Sequence, residues 1–310
     1  MTDPIDRWLE QVHSDNSKMQ YRRNIRTFCK WGNTNLEALL KQRAQETASL
    51  DPNEKYKTHD LLMEFWQKGP GKPSTKAHII STMKSFFKAN EMPLGMKTPR
   101  WEKARDKDYI PSREDIQKMV SASTPRNSAL ILTQAETGLR IGALASLKLK
   151  HILGDITPPS FGQTRNPSKI DIPDAITQPG CTFIYADAAH YLRRWLIGRK
   201  ISAEDPIFGI SGKQAILIIR NAAYEAKIVD SKTGISNFRP HCFRKRVQTI
   251  LETTFIDIPE FGLKGTVPLN WVDLLLDHIP RGSQGRAYSR PSVDALRQVF
   301  IGAEKRLRVF

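Results

Sequence analysis

The feature that most constrains the fold is a helical repeat of apolar residues through the first part of the chain. Between residues 5 and 92 apolar side chains recur every three or four positions, as at Tyr21, Ile25 and Phe28. This spacing places them on one face of an α-helix. Because several such stripes follow one another, residues 1–92 are predicted to form a small helical domain.

The helical repeat stops at residue 93 and returns after residue 111. The stretch 93–111 combines Pro, Gly and closely spaced charges, a composition typical of a linker. A second domain, 112–310, is predicted to begin with a capped helix at Ser112 and to end in a helical tail. Its segment 151–185 is rich in Pro and Gly and contains short β-prone pieces.

Two of these pieces, Lys169–Ile172 and Cys181–Tyr185, are predicted to form a small sheet or hairpin. The overall prediction is a mainly α fold with a small β-sheet, in the α+β class. Residues 249–265 are predicted to form a long loop.

The charge of the chain predicts a polyanionic partner. The 310 residues include 48 Lys and Arg against 32 Asp and Glu, a net charge of +16. An anionic membrane surface is the alternative to nucleic acid, but the basic residues are spread over the whole chain and no apolar run approaches the length of a membrane span. We therefore expect nucleic acid as the partner, no membrane contact, and a cytoplasmic protein.

The cysteines do not predict a metal site. Cys29, Cys181 and Cys242 are widely separated and form no C-x-x-C pair. Cys242 follows His241, but neighbouring residues of a helix point in different directions, and no second pair of ligands is evident. No metal and no cofactor are expected.

Basic residues on the polar faces of the first domain, and in the linker, are predicted to contact the phosphates of a nucleic acid. A solvated surface is the alternative interpretation. The predicted contacts are Arg22, Arg23, Arg26, Lys72, Lys76, Lys84, Lys97 and Arg100.

The segment Arg239–Arg246 is the strongest candidate for chemistry in the second domain. Pro240 suits the first position of a helix, so His241 and Arg244 would share one helical face. The free N–H groups of the first turn add partial positive charge. With Arg246 the segment predicts a phosphate site, although a solvated basic turn has the same composition.

Three further segments supply candidate residues. Arg140 ends Thr137-Gly138-Leu139-Arg140, where the glycine permits a left-handed turn that would hold the arginine at a helix start. His278 follows a short apolar helix. Tyr288 lies in a polar, Gly-containing stretch between Arg286 and Arg290, a setting that favours phosphate chemistry over burial in a core. We count Arg286 among the predicted phosphate contacts.

Taken in this order, the motifs resemble the Arg, His-x-x-Arg, His and Tyr set of the tyrosine recombinase (phage integrase) family, particularly its archaeal integrases. The resemblance implies a helical core-binding domain joined to a catalytic domain. It implies a site-specific recombinase that cleaves and rejoins DNA through a 3′-phosphotyrosyl intermediate at Tyr288. Arg140, His241, Arg244 and His278 would stabilise the reacting phosphate.

The resemblance also implies an active-site lysine on a sheet. Lys169 is the candidate by its order in the chain, with Lys150 as the second choice, and a surface lysine on an edge strand is the alternative.

The sequence departs from the family pattern at two positions. Ala143 replaces an acidic residue that supports the first arginine, and Asp277 replaces the glycine before the histidine. An Asp can still occupy a left-handed position there. Two other functions stay open: a catalytically impaired DNA-binding protein derived from an integrase, and a type IB-like DNA topoisomerase.

The tail after Tyr288 bears on assembly. Apolar residues between Pro291 and Phe300 recur at helical spacing and form a stripe that needs a groove. The stripe would either close on its own domain or, as the resemblance implies, dock on a neighbouring subunit. The latter predicts a protein that is mainly monomeric when free and tetrameric on paired DNA sites.

Overall fold

The computed structural model describes residues 4–12, 14–100, 109–157, 162–163, 165–228, 238–279 and 291–310. The chain divides into two compact units, Met1–Arg105 and Asp106–Phe310. Each unit has its own apolar core.

The first unit is helical throughout its regular structure. Its helices are α1 Pro4–Glu10, α2 Asp15–Trp31, α3 Leu36–Ala48, α4 Pro52–Lys55, α5 Lys57–Lys68 and α6 Pro73–Ala89. Ser14 caps α2 and Asn35 caps α3, each through its side-chain oxygen. The apolar stripe read from the sequence is buried here: Ile25 and Phe28 of α2 pack in the same core as Phe86 and Phe87 of α6.

The packed part of this unit extends beyond residue 92. Leu94 and Met96 are buried in its core. Arg43 donates a hydrogen bond from Nη2 to the Pro93 carbonyl at 3.0 Å. The first residues of the predicted linker therefore pack against the helices instead of running free.

The second unit is built mainly from helices. They are α7 Arg113–Ser121, α8 Pro125–Thr137, α9 Ile141–Ala145, α10 Ala186–Leu196, α11 Gly212–Glu225, α12 Pro240–Glu252, α13 Leu269–Leu275 and α14 Val293–Leu307. Two 3₁₀ turns lie at Leu149–His151 and Pro259–Phe261. The central helix is α8, which is buried at every residue from Ser128 to Thr137.

Three antiparallel hairpins complete this unit among the described residues. They pair β1 Ile156–Thr157 with β2 Gly162–Gln163, β3 Ser168–Asp171 with β4 Cys181–Ile184, and β5 Phe255–Ile258 with β6 Leu263–Thr266. The predicted hairpin at β3 and β4 is confirmed, with Lys169 opposite Phe183. The predicted helix start at Ser112 is confirmed as a capping box with Asp115.

The prediction of a long loop at residues 249–265 is wrong. Helix α12 continues to Glu252, and the hairpin of β5 and β6 follows. In β5, Ile256 and Ile258 are buried while Phe255 is exposed. This period of two is the pattern of a strand with one covered face, and Gly262 supplies the left-handed residue at the turn (φ 62°).

Helix α14 covers its own unit. Leu296, Val299, Phe300 and Leu307 are fully buried in one core with the side chains of β4 and α12. Beyond the helix, Arg308 pairs with Asp187 at 2.9 Å. Of the two alternatives that the sequence left open for this stripe, the structure shows the first, in which the stripe packs within its own domain.

No described helix combines the length and the apolar character needed to cross a bilayer.

Candidate active site and nucleic-acid interface

The turn before Arg140 requires glycine. Helix α8 ends at Thr137, and Gly138 adopts a left-handed conformation with φ 64°. A Cβ at Gly138 would lie 2.9 Å from Leu276 Cδ2 and 3.2 Å from Val247 Cβ. The turn therefore needs both the conformational freedom and the small size of glycine. The prediction of a left-handed turn that holds Arg140 at a helix start is confirmed, since Arg140 is the N-cap residue of α9.

The Arg140 guanidinium is fixed at one corner and half-exposed elsewhere. Its Nη1 donates to Asp277 Oδ2 at 2.7 Å. The Arg140 side chain is 42% exposed, whereas the Asp277 side chain is 7% exposed. Because a guanidinium has five N–H donors, this geometry leaves donors that face solvent and can bind an anion.

Arg244 ties the Gly138 turn to the end of α13. Its Nη1 donates to the Gly138 carbonyl at 2.8 Å and its Nη2 to the Leu276 carbonyl. Burial, with a smaller contribution from the charge of the nearby Arg140, lowers the pKa of Arg244 to about 10, and the charge of Asp277 opposes the shift. Arg244 therefore stays charged at neutral pH beside a second cation.

His278 follows the left-handed Asp277 (φ 51°) at the end of α13. Its Nδ1 lies 3.6 Å from Asp273 Oδ1. Burial lowers the pKa of His278 below its usual 6.5, and the charges of Arg244 and Arg140 lower it further. The ring is therefore mainly neutral at pH 7, with one nitrogen able to donate a proton and the other able to accept one.

Arg140, Arg244, Asp277 and His278 thus form one group, called here the arginine cluster. His241 is exposed in the first turn of α12, one turn before Arg244 on the same helical face. The structure brings Arg140, Arg244 and His278 of the predicted catalytic set together, with His241 at the exposed end of the Arg244 face.

Lys169 lies on β3 with its side chain about one quarter exposed (28%). Its Nζ pairs with Asp171 Oδ1 at 3.0 Å, and its backbone N–H donates to Asp155 Oδ2 at 2.7 Å. The turn after β3 reaches the arginine cluster, because Ile176 and Thr177 both donate backbone hydrogen bonds to Asp277 Oδ1.

Lys150, the second choice, is exposed and pairs with Glu204 at 2.9 Å. Lys148 pairs with the same carboxylate at 3.0 Å. Of the two candidate lysines, only Lys169 belongs to the hairpin whose turn contacts the cluster.

Two predicted residues, Tyr288 and Arg286, lie outside the described residues. Their roles stay predictions.

Arg246 does not face a ligand, and its assignment as a DNA contact needs correction. Its side chain is buried, and it donates to the carbonyls of Ala135, Arg306 and Leu307 at 3.3, 2.8 and 3.3 Å. Burial lowers its pKa to about 10, and the charge of Glu136 opposes this. The guanidinium satisfies the ends of α8 and α14, which leaves it no access to DNA.

The basic face of the first unit lies mainly along α2. Arg23 and Arg26 are exposed, and Arg22 forms an exposed ion pair with Asp6 at 3.2 Å. These arginines border a shallow depression that also includes Met19, Thr27 and Lys30. Lys30 was not predicted, although it continues the same face one turn after Arg26.

The other predicted basic contacts of this unit differ in exposure. Lys72, Lys97 and Arg100 are exposed, and Lys84 is half-buried. Lys76 needs correction, because its Nζ donates to the carbonyls of Trp66 at 2.9 Å and Gln67 at 3.2 Å. It caps the C-terminus of α5, where a cation is favoured.

Within the described ranges, no group of three or more His, Cys, Asp or Glu side chains is arranged to hold a metal ion.

Solved structures with a similar fold include two integrases and a site-specific recombinase. The Tn1549 transposon integrase in complex with a circular intermediate DNA has a TM-score of 0.55 at 11% identity, covering 96% of this chain and 98% of that one. A lambda integrase tetramer bound to a Holliday junction has a TM-score of 0.52 at 14% identity, covering 94% and 79%.

The XerH site-specific recombinase bound to its difH substrate, in a pre-cleavage complex, has a TM-score of 0.51 at 14% identity, covering 92% and 77%. No family model and no curated protein matches the chain. At these identities the likeness establishes the fold, which is mainly helical with two-stranded sheets, as predicted.

Proposed function

We propose that this protein is a site-specific DNA recombinase of the tyrosine recombinase (integrase) family, close to the archaeal integrases. It cuts and rejoins double-stranded DNA through a covalent 3′-phosphotyrosyl intermediate at Tyr288. The observation that carries the proposal is the arginine cluster: two guanidiniums and a mainly neutral histidine, held together by the Gly138 turn and the end of α13.

The chemistry of phosphodiester cleavage matches these groups. As the Tyr288 oxygen attacks phosphorus and the bond to the 5′ oxygen breaks, extra negative charge develops on the two non-bridging oxygens. Arg140 and Arg244 stabilise this negative charge with N–H donors, and both guanidiniums remain protonated at neutral pH. The bond energy is kept in the phosphotyrosine, so the reverse attack by a 5′ hydroxyl rejoins the strand and no cofactor is needed.

Protons must move in both directions during this step. Tyr288 must lose its phenolic proton, and an unperturbed tyrosine with a pKa of about 10 is almost fully protonated at pH 7. His241 and His278 are the groups suited to move this proton, and the neutral state of His278 lets its ring accept one. We assign Lys169 as the donor that protonates the departing 5′ oxygen, because its hairpin contacts the cluster through Asp277.

DNA is held by the basic face of the first unit in this proposal. The exposed Arg23, Arg26, Lys72, Lys97 and Arg100, with Arg22 and the half-buried Lys84, would neutralise backbone phosphates. Such a protein works in the cytoplasm on nucleoid DNA. We expect a monomer when free and a tetramer on paired sites, joined through surfaces other than the apolar stripe of α14, which is already buried.

The test is capture of the covalent intermediate on nicked duplexes that carry candidate sites. A nick lets the cleaved fragment diffuse away, so the phosphotyrosyl species accumulates and is seen on a denaturing gel. Wild type is expected to give this species. Tyr288→Phe is expected to bind the same duplex with unchanged affinity and to give none, because only the nucleophilic oxygen is removed.

Each other outcome would point to a different nucleophile or to a different function. Covalent capture by Tyr288→Phe would contradict the assignment of the nucleophile. Binding without capture by wild type would identify a catalytically impaired DNA-binding protein. Relaxation of a supercoiled plasmid that lacks any site would identify a topoisomerase.

A further inference from the structure

We infer that Asp277 is the positioning residue of Arg140 and takes the place of the acidic residue that this chain lacks at position 143. The inference rests on the proposed function, since it concerns how the arginine that meets the reacting phosphate is held. Asp277 touches no reacting atom in this account and acts through Arg140.

The first support is the state of position 143. Arg140 is the N-cap of α9, so residue 143 is the third residue of that helix. A carboxylate at this position lies three residues after Arg140, a spacing at which two side chains meet on one face of a helix. Ala143 has only a methyl group, so α9 supplies no anion to Arg140. Among the described residues, the one carboxylate within ion-pair distance of Arg140 is that of Asp277.

The second support is the way the Asp277 carboxylate is itself held. Its Oδ1 accepts three hydrogen bonds, from Ile176 N at 2.9 Å, Thr177 N at 3.0 Å and Thr177 Oγ1 at 2.9 Å. Its Oδ2 faces Arg140 at 2.7 Å. With one oxygen fixed by the turn after β3, the other presents a rigid acceptor to Nη1 of Arg140.

The third support is the backbone of Asp277, which is left-handed with φ 51°. Glycine adopts this conformation without the steric penalty that a side chain brings. A non-glycine residue persists there when surrounding contacts hold it, and here those contacts are its side-chain bonds to Arg140 and to the β3–β4 turn. The carboxylate, not the backbone, is therefore the reason for an aspartate at this position.

Asp277 would affect the reaction in two ways: it orients the Arg140 guanidinium, and its negative charge balances part of the positive charge of the two arginines. Nη1 of Arg140 is held by Asp277, and the Arg140 side chain is 42% exposed, so its other donors are available to an anion. The buried carboxylate also offsets the repulsion between Arg140 and Arg244. Both effects orient the Arg140 guanidinium before the phosphate binds. We therefore expect them to lower the barrier of the chemical step and not to tighten DNA binding.

The test separates rate from affinity. Asp277→Gly removes the carboxylate and relieves the left-handed strain, so the fold is expected to hold. Single-turnover cleavage is expected to slow by about 10- to 100-fold, the range typical of lost supporting contacts. DNA affinity is expected to stay the same or rise, because a negative charge near the phosphate is lost. Loss of DNA affinity in step with cleavage would contradict the inference.

A more specific test is whether a carboxylate at position 143 restores cleavage in the Asp277→Gly variant. Adding Ala143→Glu to Asp277→Gly returns a carboxylate to Arg140 and is expected to recover cleavage by about fivefold or more, a coupling that independent sites do not show. The matched control is Ala143→Gln in the same background, which has the same size and helix-start bonding but no charge. Equal cleavage by the Glu and Gln variants would overturn the inference.

A readout that needs no catalysis separates this inference from the proposed function. Nitrogen NMR of the Arg140 guanidinium is expected to show hindered rotation in wild type and in the Asp277→Gly, Ala143→Glu variant, but free rotation in Asp277→Gly alone. If wild type cleaves no duplex, the proposed function fails while this readout still decides whether Asp277 holds Arg140. Free rotation in wild type would contradict the inference even if cleavage is observed.

Discussion

Arg244 and Arg246 lie two residues apart on α12, but their surroundings differ. Both are buried, both donate to backbone carbonyls, and burial lowers the pKa of each to about 10. Arg244 adjoins the half-exposed Arg140 and His278, whereas Arg246 adjoins the buried Glu136 and the end of α14. Burial and charge therefore do not distinguish the arginine that we propose to contact the phosphate from the one that binds only backbone carbonyls. The residues next to each arginine do.

The largest expected effect sharpens the Arg244 side of this comparison. Arg140→Ala removes the exposed guanidinium of the cluster and is expected to slow cleavage by about 10²- to 10³-fold, as for loss of one donor to a developing oxyanion. DNA affinity should change little. Single-turnover cleavage and binding measured on the same duplex check this, and a normal cleavage rate would make Arg140 a structural residue.

The next effect concerns the Arg246 side. Arg246→Met fills similar space without charge and leaves the carbonyls of Ala135, Arg306 and Leu307 without this donor. We expect the free energy of unfolding to fall by about 1–3 kcal/mol, as for buried acceptors left without a hydrogen-bond donor. Denaturant unfolding measures the loss. The folded fraction should cleave at the wild-type rate, and slower cleavage by that fraction would erase the distinction between the two arginines.

A pH dependence of stability follows from Glu136, the buried carboxyl group whose charge affects the pKa of Arg246. Burial raises the pKa of Glu136 from 4.5 to about 8. Between these values the folded state holds a proton that the unfolded chain has lost, so the stability falls as the pH rises. The expected slope is up to about 1.4 kcal/mol per pH unit, and it levels off above the folded pKa.

Glu136→Gln should remove this slope, because the amide does not titrate. Thermal unfolding of both proteins from pH 5 to 9 tests it. Parallel curves would show that Glu136 is ionised throughout this range.

The smallest effect is expected for the exposed arginines of α2, which differ from Arg244 and Arg246 because they are not buried. Arg23→Ala with Arg26→Ala is expected to weaken DNA binding by roughly fivefold and to reduce the slope of log affinity against log salt by about 1.8, or 0.9 for each phosphate contact. Cleavage of bound DNA should be unchanged. A normal salt slope would mean that this face does not meet the duplex.

How much of this could be read from the sequence depends on the scale of the feature. Helical spacing predicted the core stripes of α2 and α6, and the glycine of the Thr137 to Arg140 motif predicted the left-handed turn, because both are local properties. The β5 strand was missed because its alternation covers only four residues beside a helix. Whether the apolar face of α14 packs within its own domain or on a neighbouring subunit was left open, because the sequence of an apolar face does not identify the groove that it occupies.

The site was predictable in its residue types but not in its contacts. His241 and Arg244 share a face by their spacing alone. The burial of Arg246 depends on α8 and α14, which are distant in sequence, so its charge suggested a surface role. Asp277 stood out only as a departure from a pattern, and its pairing with Arg140 spans 137 positions. Lys76 was misassigned for the same reason, because the end of α5 that it caps comes from another helix.

The most direct test of the central claim is to identify the amino acid that carries the covalent DNA. Wild type trapped on a nicked duplex would be digested with nuclease and protease, and the peptides would be sequenced by mass spectrometry. We expect one nucleotide-bearing residue, Tyr288, and an adduct that forms about 10²- to 10³-fold more slowly when Arg140 is replaced. A nucleotide on any other side chain, or DNA bound with no adduct at all, would contradict it.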